Sequence, residues 1–593
     1  MNKQSIKPVV GLLLVLWLPL AAAAQSTPGW GWVKYFGQSV YGISGQNTMA
    51  GTGRDAAGNL YIAGSYTGTP TVGTTATTNL GESEAFLAKY DPNGNLVWMK
   101  AMHGAGADGI DRLFVEPSGR CTVSGSFGFG RVIGNLSFSE FGSSLVLPGP
   151  AQLNLPNYGT ATQPSYNSVP LLAVVEPDGT LAWAITPSPS YGFNGRSLVR
   201  DSQGNIYQSG HSAGGFTLNG TVYAPIGQSD GILIKYTASG QAQWVRYVGT
   251  PGSRVEAPVV KTDQSGAVYW MVSHSGAISL GQTVVPSGVG STLVKFSPTN
   301  QLRWVRNNLV RVNNTPTSAP LIGIDETNGT LYCAVLGASG STISATGAGS
   351  PVVLPTTTNS YTQCIVQCDS AGQVSWVKPF IGMTYPAGNS LGYYATPQLI
   401  PVANGFTLLA STIRNGQTSF VGSPTIYNAA QGGFICVLNY SYASNQVLWT
   451  RIAGTDPTLS LNGTQVSQAV VDPIGNVYVA GIFDGPATFG ATTLPSTNAL
   501  PWLYLAKLDQ TILPNKAAVA GKPWRVYPNP ATSAVQLEGL PPRTTVRVLD
   551  ALGRTARTTQ AATLDLTSLA PGLYLLQATG TAEPYQPQRL LVE

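Results

Sequence analysis

Charge is the scarcest commodity in this chain. Lys, Arg, Asp and Glu together make up 10% of its 593 residues, against a usual ~25%, and there are three histidines. The formal net charge is +5, and setting aside Lys3 and Lys7 of the leader leaves 5 − 2 = +3. The remaining basic residues are scattered without a run, which excludes a nucleic-acid groove and a polybasic membrane patch. Cysteine is sparse too: Cys121, Cys333, Cys364, Cys368 and Cys436 are odd in number and irregularly placed, unlike a disulfide framework. Cys364 and Cys368 fall on one side of a predicted strand but about 13 Å apart, too far to bridge. These thiols read as small buried apolar groups.

Long hydrophobic runs are also missing, with one exception. Lys3 and Lys7, an apolar stretch over residues 9–20 and Ala22-Ala23-Ala24 before Gln25 have the three parts of a signal peptide, cleaved between Ala24 and Gln25. The stretch is shorter than the ~20 residues a helix needs to cross a bilayer. No later segment is apolar enough, so no transmembrane segment is predicted. Of the catalytic motifs, H-E-x-x-H and the phosphate-cradling loop are absent as well. His211 and His274 fall just past equivalent strands of neighbouring repeats and read as exposed loop residues rather than a metal pair. No metal, cofactor or catalytic residue is assigned.

What the chain has is a repeat written in tryptophan. Trp32, Trp98, Trp183, Trp244, Trp304, Trp376 and Trp449 share one context, and all but Trp183 are followed two positions later by Lys or Arg. Before six of them come an apolar strand and a turn, as in "FLAKYDPNGNLVWMK" and "ILIKYTASGQAQWVR". An earlier hairpin opens each unit, as in "RDAAGNLYIAGS" and "VVDPIGNVYVAG", with a tyrosine column at Tyr61, Tyr207, Tyr269, Tyr332 and Tyr478. Each unit therefore reads as four antiparallel strands. Seven openings occur, but the seventh unit ends at "WLYLAKLD" without its tryptophan strand. The surplus "WVKYFG" at Trp32 supplies it.

The fold class is therefore all-β: a seven-bladed β-propeller closed by an N-terminal strand, followed by a small C-terminal β-sandwich. The D-x-x-G-N turns offer one Asp each, whereas calcium loops need several closely spaced oxygens, so turn chemistry accounts for them. The units "D-x-x-G-N-h-Y-h-A-G" and "h-h-x-K-Y-D-x-x-G-x-h-x-W-x-[KR]" resemble the bacterial β-propeller repeat family often called SBBP. That resemblance implies an extracytoplasmic propeller and no particular activity.

After Asp509 the composition changes. The expected organisation is a signal peptide over 1–24, a propeller over 25–511, a linker over 512–523 and a sandwich over 524–593. Tyr527-Pro528-Asn529-Pro530, then Asp550, Gly553 and Arg554, then Gly572 and Tyr574 stand in order before a terminal strand. They resemble the type A C-terminal sorting domain of Bacteroidetes-type bacteria. The resemblance implies the type IX secretion machinery as partner, with export through the periplasm and release or attachment at the outer surface.

Two function classes remain open. One is a secreted or surface binding protein for a glycan or protein ligand; the other is a secreted hydrolase or lyase acting on polysaccharide. A two-carboxylate glycosidase stays open because its pair need not be close in sequence. Binding is the favoured reading, because neither H-E-x-x-H nor a phosphate-cradling loop occurs and propellers host many functions. The longest connection, about 45 residues over 126–170, carries Tyr158, Tyr166 and Asn167, which are assigned to a ligand face. The sequence fixes neither the ligand nor the oligomeric state.

Overall fold

The computed structural model describes residues 28–36, 48–72, 75–77, 83–103, 108–128, 137–140, 168–185, 194–218, 221–286, 289–313, 315–316, 320–345, 351–354, 360–384, 397–411, 416–420, 426–429, 434–455, 464–483, 485–495, 502–510, 522–550, 555–579 and 585–593. The chain divides into two compact units, Thr27–Gln510 and one containing Thr511–Glu593. Among the described residues every regular element is a strand, and no helix is long and apolar enough to cross a membrane.

In the larger unit, seven antiparallel sheets of the described residues share one plan, numbered here in chain order. Their first strands are Thr48–Arg54, Asp108–Val115, Asn194–Arg200, Arg254–Thr262, Leu321–Asp325, Gln398–Val402 and Gln465–Val471. The first pairs with the second, the second with the third and the third with the fourth. Sheet 7 takes its fourth strand from the other end of the chain. Gly29–Phe36 pairs with Trp502–Asp509, with Trp32 opposite Lys507 and Phe36 opposite Leu503.

That register explains the repeat. In sheet 1, Tyr61, Lys89 and Trp98 lie opposite one another on the second, third and fourth strands. The Lys89 ammonium sits 5.2 Å from the Tyr61 ring centre, and Tyr61 meets Trp98 edge-on at 6.0 Å. Such cation–π contacts are worth roughly 0.5–1 kcal/mol at partly exposed sites. Tyr207–Lys235–Trp244 and Tyr269–Lys295–Trp304 repeat the ladder in sheets 3 and 4. In sheet 7 the ladder is Tyr478–Lys507–Trp32, so the N-terminal tryptophan occupies the register of a fourth-strand tryptophan.

The same residues clasp the next sheet. Trp98 Nε1 and Lys89 Nζ both donate to the Pro177 carbonyl of sheet 2, at 3.1 and 3.2 Å. Trp183 Nε1 donates to the Ala238 carbonyl of sheet 3 at 3.1 Å. Arg246 donates to the Asn300 side chain and carbonyl of sheet 4, and Arg306 to the Ala371 carbonyl of sheet 5. Gly240 lies under Trp183 at φ +86°, where a Cβ would stand 2.8 Å from the indole ring. Gly240→Ala therefore combines an unfavourable backbone conformation with a clash, and is expected to cost about 2 kcal/mol in denaturant melts. Ala at Gly252, which also has positive φ (+82°) but nothing within 4 Å, gives the backbone part alone.

Seven hydrophobic clusters lie between successive sheets, each large side chain contributing roughly 2 kcal/mol on burial. The cluster between sheets 7 and 1, with Phe36, Leu60, Phe86, Tyr478 and Leu503, makes the order cyclic. The arrangement is propeller-like. First strands are sheet edges facing the centre, and their free backbone groups are taken up by side chains of the neighbouring sheet. Gln398 brackets Ala469, donating to its carbonyl at 3.0 Å and accepting from its N–H at 2.8 Å. Gln468 accepts from the Thr52 N–H at 3.0 Å, and Ser197 donates to the Val260 carbonyl at 3.0 Å.

The connections between second and third strands contain hairpins of their own. Phe216–Leu218 pairs with Thr221–Tyr223, and Ile278–Leu280 with Thr283–Val285. The sheet 6 hairpin extends sheet 5, and the sheet 7 hairpin extends sheet 6. In the smaller unit, a three-stranded and a four-stranded sheet enclose a core of Trp524, Val535, Val546, Val548, Leu564, Tyr574, Leu576 and Leu590.

Candidate functional site

The seven first strands surround a cavity of about 620 Å³. Side chains alternate along a strand, so positions two and four before the turn share a side. Phe114, Lys261 and Val470 stand two before their turns, and Arg112 and Gln468 four before. All five line the cavity, with Thr52, Gln398 and apolar Leu198, Ile322 and Ile400. Glu326 follows the end of the sheet 5 first strand and lines it too.

Charge is concentrated at one end. Lys261 is the second-last residue of its strand and half-buried. Desolvation lowers its amine pKa; the Glu326 carboxylate opposes the shift and the Arg112 guanidinium adds to it. Desolvation raises Glu326, with Lys261 opposing and Asp325 and Asp263 reinforcing. Glu326 is the one carboxylate among the described lining residues.

The turn aspartates are occupied by protein donors. Asp55 accepts from the Asn59 N–H and side-chain amide, both at 2.8 Å, and from the Tyr61 hydroxyl at 3.1 Å. Asp201 with Asn205 and Tyr207, and Asp472 with Asn476 and Tyr478, repeat the set. Burial and the Asp472 carboxylate raise the Tyr478 hydroxyl to about 12, keeping it a donor. Among the described residues no group of three or more His, Cys, Asp or Glu side chains could hold a metal ion. All five cysteines are free and buried.

The histidines depart from expectation. His211 and His274 lie on second strands rather than in loops, in Ile206–Ser212 and Val268–Ser275. His274 is buried, with Nδ1 2.8 Å from the Gly276 carbonyl and Nε2 2.8 Å from Thr292 Oγ1. The strand runs further than the repeat consensus indicated because Ser273, His274 and Ser275 still pair with residues 289–291.

Of the sorting-motif residues, Asn529 has the clearest part. Its side chain donates to the Arg589 carbonyl at 2.7 Å and accepts from the Leu591 N–H at 2.9 Å, tying the motif to the terminal strand Gln588–Val592. The Tyr527-Pro528 and Asn529-Pro530 peptides are cis, and Tyr527 is exposed. Tyr574 donates to the Ala570 carbonyl at 2.8 Å, and Gly572 opens the strand Gly572–Thr579. Asp550 is half-buried at the end of the described segment. Gly553, Arg554, Ala24, Gln25, Tyr158, Tyr166 and Asn167 lie outside the described residues.

Comparison with known proteins separates the two units. Residues 525–593 match the family model of the secretion system C-terminal sorting domain. This domain directs export by the type IX secretion system, so the protein is secreted or held at the cell surface. No curated protein matches the chain. Similar solved structures include a protein of unknown function from Dyadobacter fermentans, 10% identical over 67% of this chain and 93% of its own, TM-score 0.32. The WD40 domain of Neurospora crassa Pan2 is 9% identical over 77% and 89%, TM-score 0.32. PorZ, described as an essential bacterial surface component of the type IX secretion system of Porphyromonas gingivalis, is 12% identical over 93% and 75%, TM-score 0.22.

Proposed function

We propose that the larger unit is a closed seven-bladed β-propeller of SBBP type, preceded by a signal peptide over 1–24, and that it acts outside the cell as a binding protein for a glycan or protein ligand. The tail over 524–593 serves as the address, and its motif residues, Asn529 foremost, set the shape the secretion machinery reads. The observation that carries binding over hydrolysis is the composition of the axial cavity. Glycoside hydrolysis by acid and base, or acid and nucleophile, uses two convergent carboxylates. The described lining offers Glu326 as its one carboxylate, beside Lys261, Arg112 and amide, hydroxyl and apolar side chains suited to holding a ligand. Tyr158, Tyr166 and Asn167 remain the candidates for an outer ligand face.

The test is a glycan array run beside a polysaccharide-degradation assay on the mature protein. Saturable binding without new reducing ends is the expected result. Release of reducing ends would replace this reading with the hydrolase or lyase one.

A further inference from the structure

Two cations share the axial cavity with one carboxylate, and one of them lacks a close partner. Among the described residues the Lys261 ammonium makes no hydrogen bond or ion pair, although it lines a partly desolvated cavity. It senses the Glu326 carboxylate electrostatically without closing an ion pair on it. Withdrawing an ammonium from water without a counter-ion is unfavourable.

The fold itself does not require an amine there. The equivalent positions in sheets 3 and 7, two before the turn, are Val199 and Val470. Val199 is buried, so an apolar side chain fills this position in the same architecture. Arg112 brings a second positive charge into the cavity from sheet 2, separated from Lys261's strand by the first strand of sheet 3. Two like charges facing one space from separate strands create a positive potential between them, strengthened by low-dielectric walls. The volume, about 620 Å³, falls within the roughly 300–1,000 Å³ of small-molecule sites.

We propose that the axial cavity is a binding site for a small oxyanion, a carboxylate or phosphate group, held by Lys261 with Arg112 supporting it. Glu326 stands at the same end and limits affinity by repulsion, with Asp263 and Asp325 behind it. Asp263 is engaged by the Ser265 and Ala267 N–H groups and the Tyr269 hydroxyl, and Asp325 by Thr327. Glu326 is therefore the acid that an incoming anion meets. The site is independent of whatever the outer loops bind.

Isothermal titration of the mature protein at low salt with succinate and, separately, inorganic phosphate tests this. The expected result is saturable one-to-one binding of at least one probe, and which probe binds tells carboxylate from phosphate. Lys261→Gln weakens that binding at least tenfold while the melting temperature stays near wild type. Glu326→Gln tightens it about threefold, a gain that a merely structural role for these side chains would not produce. Absence of saturable binding of both probes to folded wild-type protein overturns the proposal, as does wild-type affinity in Lys261→Gln. Should Lys261→Gln fail to fold, Glu326→Gln decides alone: tightening supports the site, and unchanged or weaker binding overturns it.

Discussion

Removing residues 25–37 is expected to lower the melting temperature of the larger unit by roughly 10 °C or more, or to drive it into aggregates. Without Gly29–Phe36, the third strand of sheet 7 becomes an unpaired edge over Trp502–Asp509, the kind of edge that recruits other chains. Lys507 loses Trp32 from its ladder, and the cluster between sheets 7 and 1 loses Phe36, which is 2% exposed. The clasp from sheet 6 fails as well, because Arg451 donates to the Pro28 carbonyl and Trp30 Nε1 to the Ile452 carbonyl at 3.3 Å. These losses fall together on one seam, so they add to a far larger effect than any single core substitution. Differential scanning calorimetry of the deletion and the intact mature protein measures it. An unchanged melt would show that the N-terminal strand is dispensable.

The second large effect concerns destination. Ending the chain before Trp524 is expected to leave a folded larger unit in the periplasm of a host with type IX secretion, with nothing in the medium or on the surface. The two units have separate cores, so the truncation removes the address without entering the propeller-like core. A milder version is Asn529→Ala, which removes two hydrogen bonds to the terminal strand and is expected to cost about 1–2 kcal/mol in tail stability. Fractionation followed by immunoblotting reads both. Truncated protein in the medium would refute the assignment of the tail.

Much of the fold is legible in the sequence because its repeat residues do local work. The turn aspartates, the tyrosine column and the tryptophans recur because each sheet needs the same turn, the same cross-strand ladder and the same clasp on its neighbour. The surplus "WVKYFG" could be matched to a missing strand since strand pairing leaves a countable remainder. The hairpins between second and third strands are less legible, although "TLNGTVYAP" and "SLGQTVVPS" share a visible pattern, because their three-residue strands are too short to show alternation. The cavity was the least legible feature. Arg112 and Lys261 lie on two strands and Glu326 just past a third, spread over more than two hundred residues, and alignment on the turn acids is what places the first two on one side. Charge at such positions departs from the consensus, and a consensus search discards departures.

The pairing of Gly29 with Asp509 also has a consequence for the order of events during export. A chain threaded through a membrane N-terminus first delivers one half of this seam at the start and the other half after some 470 further residues. Until then Gly29–Phe36 has no partner and sheet 7 lacks its third and fourth strands, so the cyclic stack stays an open arc. The entropy of joining such distant ends grows only with the logarithm of their separation, so the delay is set by synthesis and transport rather than by chain search. The last sheet of the larger unit is thus its latch. A chain interrupted anywhere before Trp502 is left open, with Trp30–Phe36 as an unpaired edge.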